Sequence, residues 1–179
     1  MTMTLEVDGE RVTGFAGGSV TQSLDAIAST FTLQYGDDAL NQSGRFVVEV
    51  GDAVKTLVDG DVLLDGYVMD DDRSYSSQSE SASVSGVSRT GDVVESNAYV
   101  AGKTKWRNAS LKEIVDALLD GYDVQARIDA DASPNFRRFA FHEGETIANA
   151  IKTAAAKRGA LIVDDAGVLA FERAGQRST

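Results

Sequence analysis

Through the first hundred residues, apolar and polar positions alternate in short runs, each closed by Gly or Asp. Thr4-Leu5-Glu6-Val7 alternates, Asp8-Gly9-Glu10 has turn chemistry, and Arg11-Val12-Thr13-Gly14-Phe15 alternates again, which predicts a hairpin. Further strands are predicted over 19–24, 31–35, 46–50, 55–58 and 62–68, with turns at Gly36-Asp37-Asp38, Gly51-Asp52 and Asp59-Gly60-Asp61. Short strands punctuated at near-regular intervals predict a barrel or a sandwich. Residues 74–88 carry eight serines, a composition that suits a linker. Tyr75, Ala82, Val84 and Val87 interrupt it, and Ser81-Ala82-Ser83-Val84-Ser85 alternates. That pattern predicts a strand with one wet face, preceded by a solvated turn at Asp70-Asp71-Asp72-Arg73.

Near residue 100 the period changes from two to about 3.6. Ser110-Leu111-Lys112-Glu113 is a capping box, in which the serine oxygen accepts from the backbone while the glutamate reaches back. Leu111, Ile114, Val115, Leu118 and Leu119 then share one helical face, and Gly121 ends the helix. A strand is predicted over 124–128. A second helix over about 145–158 presents Ile147, Ala148, Ile151, Ala154 and Ala155, with Glu143 and Glu145 at its positive end and Lys157 and Arg158 at its negative end. Gly159 is its stop. Ala160-Leu161-Ile162-Val163 and Val168-Leu169-Ala170-Phe171, joined by Asp164-Asp165-Ala166-Gly167, form a closing hairpin. The expected organisation is a β domain over 1–100 and a small α+β domain over 101–179, with order β–α–β–β–α–β–β.

Composition narrows the function classes. Of 179 residues, 42% are hydrophobic and 25% charged, enough for a buried core in one domain or two small ones. Asp and Glu number 28 against 17 Lys and Arg, a formal net charge of -11. Such a balance opposes tight binding to a nucleic-acid backbone and opposes a polybasic membrane anchor. Cysteine is absent and histidine occurs once, which removes thiolate chemistry and disfavours zinc. No apolar run approaches the length of a membrane span. Met1-Thr2-Met3-Thr4 lacks a basic start before an apolar stretch, so no secretion signal is predicted.

The chemistry-bearing residues do not assemble into a motif. Asp37-Asp38, Asp70-Asp71-Asp72 and Asp164-Asp165 sit beside Gly and Ser, where Asp serves turns. The spaced ligands and central glycine of a calcium loop are missing. His142 has no Gly-x-Ser-x-Gly serine to activate and reads as a strand-end or helix-entry residue. Gly14-Phe15-Ala16-Gly17-Gly18 is followed by no Lys-Ser/Thr and reads as a bend rather than a phosphate loop. Trp106, between Lys105 and Arg107, reads as core or interface more readily than as a stacking platform. No catalytic, metal-binding or cofactor-binding residue is assigned, no cofactor is expected, and the chain is not expected to be an enzyme.

The order of segments resembles the N-terminal half of the baseplate hub protein of Mu-like contractile-tailed phages, within the wider gene-D late-control and VgrG-like hub group. The resemblance rests on Gly66-Tyr67-Val68 followed by Ala82-Ser83-Val84-Ser85-Gly86-Val87-Ser88-Arg89-Thr90-Gly91-Asp92-Val93-Val94-Glu95-Ser96. It continues through Trp106-Arg107-Asn108-Ala109-Ser110-Leu111 with Ile114. It ends with Glu145-Thr146, Ala150, Ala155, Arg158-Gly159 and Gly167-Val168-Leu169-Ala170-Phe171-Glu172-Arg173. It implies a β-rich α+β fold, a split β-barrel of the tail-tube and hub type followed by a small α+β domain. It implies a structural subunit that adapts the tail tube to the central spike and lines the DNA channel. The implied partners are two further copies in a homotrimer, tube, spike and other baseplate proteins, and the implied location is the virion tail, assembled in the host cytoplasm. The family chain continues for a comparable length after the inserted domain, whereas this sequence stops at Gln176-Arg177-Ser178-Thr179. A fragment and a hub built from two polypeptides, one of them a companion hub chain, are the two readings. The rival from another class is a cell-wall or carbohydrate-binding module using Trp106, Tyr122 and the acidic turns.

Overall fold

The computed structural model describes residues 2–7, 9–23, 26–35, 48–75, 80–128 and 134–173. They fall into two compact units, Met1–Gln22 with Ala28–Arg89, and Ser23–Ile27 with Thr90–Thr179.

The first unit holds β1 (Met3–Val7), β2 (Glu10–Val12), β3 (Phe15–Thr21), β4 (Thr30–Tyr35), β5 (Ala53–Val58), β6 (Asp61–Tyr75) and β7 (Glu80–Ser88). They form one seven-stranded sheet in the order β2-β1-β5-β6-β7-β4-β3, every neighbour antiparallel. Alternation decides the faces. Leu5, Val7, Phe31, Leu33, Val54, Leu64, Val68 and Val84 turn to one side and make the core with Val48. The pleat turns their chain neighbours the other way.

Register shifts between Phe15 and Gly17, between Thr56 and Leu57, and between Val68 and Asp70 break the ladder at three places. Each such bulge bends its strand and adds twist, so the sheet rolls. A methyl group on Gly18 of β3 would lie 3.1 Å from the Met3 sulfur of β1, so the two ends of the rolled sheet approach each other. No hydrogen-bonded pairing joins β3 to β1 among the described residues, and the sheet is not closed into a barrel.

Three expectations are corrected here. Asp70-Asp71-Asp72-Arg73 is not a turn but part of the 15-residue β6, opposite Ser85, Val84, Ser83 and Ala82. Three successive carboxylates read as a turn, but small serine partners across the ladder and alternation to opposite faces make a strand tolerable. The glycine-rich run from Gly14 is likewise an edge strand with a bulge rather than a bend, and the strand foreseen at 19–24 begins four residues earlier and stops at Thr21. For the strand foreseen at 46–50, residues 46–47 lie outside the described residues. Glu49 and Asp52 close a turn, Asp52 N–H donating to Glu49 O at 3.1 Å and Glu49 N–H to Asp52 Oδ2 at 2.8 Å. The expected turn at Asp37-Asp38 and the predicted strand end at Leu24 also fall outside the described residues.

The second unit holds α1 (Gly91–Glu95), β8 (Lys105–Trp106), α2 (Leu111–Leu119), β9 (Gln125–Ile128), β10 (Phe139–Ala140), α3 (Ile147–Ala156), β11 (Ala160–Asp165) and β12 (Val168–Arg173). The expected order is present, with α1 added in front; five residues are too few for a helical period to register. The capping box closes as read: Glu113 N–H donates to Ser110 Oγ at 3.1 Å and Ser110 N–H to Glu113 Oε2 at 2.7 Å. All five apolar residues of the α2 face are buried. The backbone at Gly121 takes φ +90°, the left-handed geometry that ends a helix at glycine. β12 pairs antiparallel with β11 and parallel with β9. Helix α3 is shorter than foreseen. Thr146 caps it, and Glu145 accepts from the His142 N–H at 2.9 Å instead of lying in its first turn. Lys157 and Arg158 lie over the rings of Phe139 and Phe136 at 5.2 and 3.6 Å rather than completing the last turn.

Candidate functional site

The chemistry-bearing residues singled out by sequence do not converge. His142 is exposed, and its backbone forms a small reciprocal turn with Glu145 at the entrance to α3. Asp164 is buried and accepts from the Gly167 N–H at 2.9 Å, fixing the closing hairpin, while Asp165 pairs with Arg127 at 2.7 Å. Alternation along β6 turns Asp71 to the opposite face from Asp70 and Asp72, so the three cannot chelate one ion. Trp106 is 3% exposed, tilted against Phe139 and Phe141 with centroids 6.0 and 5.6 Å away, and roofed by Lys103 at 5.1 Å. It offers no free face to a sugar, and Tyr122 packs against the same core. The carbohydrate-binding reading loses its tryptophan, and its tyrosine is half-buried.

What distinguishes the first unit instead is its two sheet edges and its outward face. Its sheet ends in two strands of opposite character. β2 is three residues long and carries Glu10 and Arg11, the usual protection of a free edge. β3 runs seven residues, Phe-Ala-Gly-Gly-Ser-Val-Thr, without charge or proline. A long uncharged edge offers unpaired backbone groups to another strand.

On the outward face a line of alternating charge crosses four strands. Arg11 of β2 faces Glu6 of β1, Glu6 faces Lys55 of β5, and Lys55 faces Asp65 of β6. Arg11 Nε meets Glu6 Oε2 at 3.1 Å and Lys55 Nζ meets Asp65 Oδ2 at 3.8 Å. Arg89 closes the line, donating to Asp65 Oδ1 at 2.8 Å and to the Tyr67 hydroxyl at 2.7 Å. Gly9, Lys55, Asp65 and Arg89 also line a shallow pocket. Its charges satisfy one another, so it serves the register of the sheet rather than a ligand.

The distribution of charge between the two parts of the chain was missed by reading only the total. Residues 1–89 carry 15 acidic and 5 basic side chains, a net of -10, while residues 90–179 carry 13 and 12, a net of -1. Counting by unit rather than by chain would have found it. Among the described residues no helix is long and apolar enough to cross a membrane.

Known proteins share this arrangement. Residues 2–88 match the family described as Mu phage baseplate assembly protein GpP-like, N-terminal, and residues 90–173 match baseplate hub protein gp44-like, second domain. Baseplate hub protein gp44 of Escherichia phage Mu is 30% identical over 188 residues, an alignment taking in 99% of this chain and 47% of that protein. The crystal structure of the 43 kDa tail protein of prophage MuSo2 from Shewanella oneidensis superposes with a TM-score of 0.84 at 26% identity, over 99% of this chain and 56% of that one. A tail protein from Neisseria meningitidis gives a TM-score of 0.78 at 17% identity, over 95% of this chain and 49% of that one, a likeness of fold. The chain spans about half the length of the relatives it matches.

Proposed function

We propose that the chain, whose two halves match baseplate families of Mu-type phages, is a structural subunit of a phage or phage-like contractile-tail baseplate hub. Its place would be between the tail tube and the central spike. The observation that carries this reading is the match of the whole chain, unit by unit and in order, to a hub and its domain families. The geometry supports it in two ways. The rolled, unclosed sheet ends in an uncharged edge at β3, which suits strand-to-strand association with a second copy, a tube subunit or a companion hub chain. A net of -10 on residues 1–89 suits a wall past which a duplex slides, since DNA carries one negative charge per about 1.7 Å of axis and an attractive wall would hold it.

In this reading the assembly holds three copies, the two units are separate domains, and the product resides in the virion tail after assembly in the host cytoplasm. The role is mechanical, with no turnover. Purified tails provide the test. The chain should be found in the baseplate by labelled electron microscopy, at three copies per tail by quantitative mass spectrometry. Its absence from purified tails would overturn the hub reading; a copy number of one or six would overturn the trimer.

A further inference from the structure

The second unit carries a cationic face that the first unit's charges do not explain. β8 and β10 pair through Trp106 with Phe139 and Lys105 with Ala140, and the ribbon continues to a bridge between Ala109 and Phe136. Its inner side is the aromatic core of Trp106, Phe136, Phe139 and Phe141. Its outer side exposes Lys105, Arg107, Arg137 and Arg138. Arg107 and the two arginines across from it lie between the paired positions, where Asn108 kinks the strand with φ +53° and its carbonyl accepts from the Asn135 amide at 2.9 Å. Like charges across a ribbon oppose its formation. Elsewhere Arg11, Lys55, Arg89, Lys112 and Arg127 each reach a carboxylate. These four side chains reach none among the described residues, in a chain with 28 acidic residues to offer. A local rule broken on an exposed face marks a surface completed by something else.

We propose that this ribbon docks onto the first unit of a second copy of the chain, against the outward carboxylates of β6. Asp70 and Asp72 are exposed on one face of that strand, opposite Ser85 and Ser83, and neither is in an ion pair among the described residues. The negative charge of the chain is concentrated in residues 1–89, so the counter-charge for a cationic ribbon is the first unit of a neighbour. Such a contact is head-to-tail, and closes into a ring when the rotation between copies permits. A nucleic acid is the less favoured occupant, because the lone tryptophan is buried beneath the patch and cannot stack on a base. The proposal rests on the hub reading only in requiring several copies in one assembly.

The test is sedimentation of the full chain at about 0.05 M and about 0.5 M NaCl, where screening lengths differ severalfold. Self-association should weaken about tenfold or more at the higher salt. R137E/R138E and D70K/D72K should each lose association, and mixing the two variants should restore it, since each then supplies the face the other needs. Should a reversal variant fail to fold, R137Q/R138Q gives the same comparison without an introduced charge. A wild type that is monomeric at both salts, variants that associate like wild type, or a mixture that stays dissociated would overturn the proposal. So would wild-type ribbon binding to duplex DNA in place of self-association. The hub reading fails separately, by absence of the chain from purified tails.

Discussion

Arg89 shows how much one side chain does at the end of the first unit. Its guanidinium lies 5.0 Å from the Tyr67 ring centroid and donates to both Asp65 and Tyr67. Its side chain and that of Asp65 are only 24% and 23% exposed, so solvent screens the pair incompletely. Arg89→Ala should therefore lower stability by about 1.5–3 kcal/mol in denaturant unfolding, and Tyr67→Phe by about 0.5–1.5 kcal/mol. Lysine, without the planar fork, should not rescue. Gly86 is the opposite kind of residue, needed for what it lacks. A methyl group there would sit 2.2 Å from the Tyr67 carbonyl and 2.4 Å from the Phe31 ring. Gly86→Ala should cost about 1–3 kcal/mol through overpacking, and an unchanged unfolding midpoint would refute the close approach. Neither role is legible in the sequence, where Gly86 looks like part of a serine-rich run and Arg89 like a loop cation. Both depend on neighbours about twenty or more residues away.

Among the elements, legibility followed the distance over which the deciding interaction acts. Helix α2 was readable to the residue because its cap and its face are set by neighbours three and four positions apart. Leu118, 1% exposed, should cost about 2–5 kcal/mol on replacement by alanine, and an effect under about 1 kcal/mol would remove it from the core. Ser110→Ala should cost about 0.5–2 kcal/mol through the lost cap. The closing hairpin was equally plain, with Asp164 and Gly167 three positions apart. Strand β6 was not. Its residues 70–72 are all aspartate, and only the pairing with β7 makes that stretch a strand. The open edges were unreadable for the same reason: which strands lie at the ends of a sheet is a property of pairing order, not of any one segment.

For the whole molecule, the total charge of -11 hid the more informative fact that residues 1–89 hold nearly all of it. If that region faces a passing duplex, the full chain should leave duplex DNA unretarded in a gel at about 0.05 M salt, where electrostatic contacts are strongest. A shift that persists in the R137Q/R138Q variant would discard the repelling wall. The proposed hub role is legible in the sequence only as an ordered set of weak motifs, no one of which carries it alone.

Ile27 sets an order of events on the ribosome. It lies between β3 and β4 of the first unit, yet it belongs to the second, where, 2% exposed, it sits in the core with Val93 and Ile114. That core begins about sixty-six residues later in the chain, so at about 5–20 residues per second Ile27 waits roughly 3–13 seconds for its first partners to be synthesised. The sheet meanwhile cannot be completed until β7 emerges to pair with β4 and β6. The nascent chain thus carries an uncovered apolar residue and an unfinished sheet together, the state that chaperones hold and that proteases cut. Ile27→Ala should relieve that exposure during synthesis while loosening the second unit afterwards, giving more full-length product at low temperature and less at high.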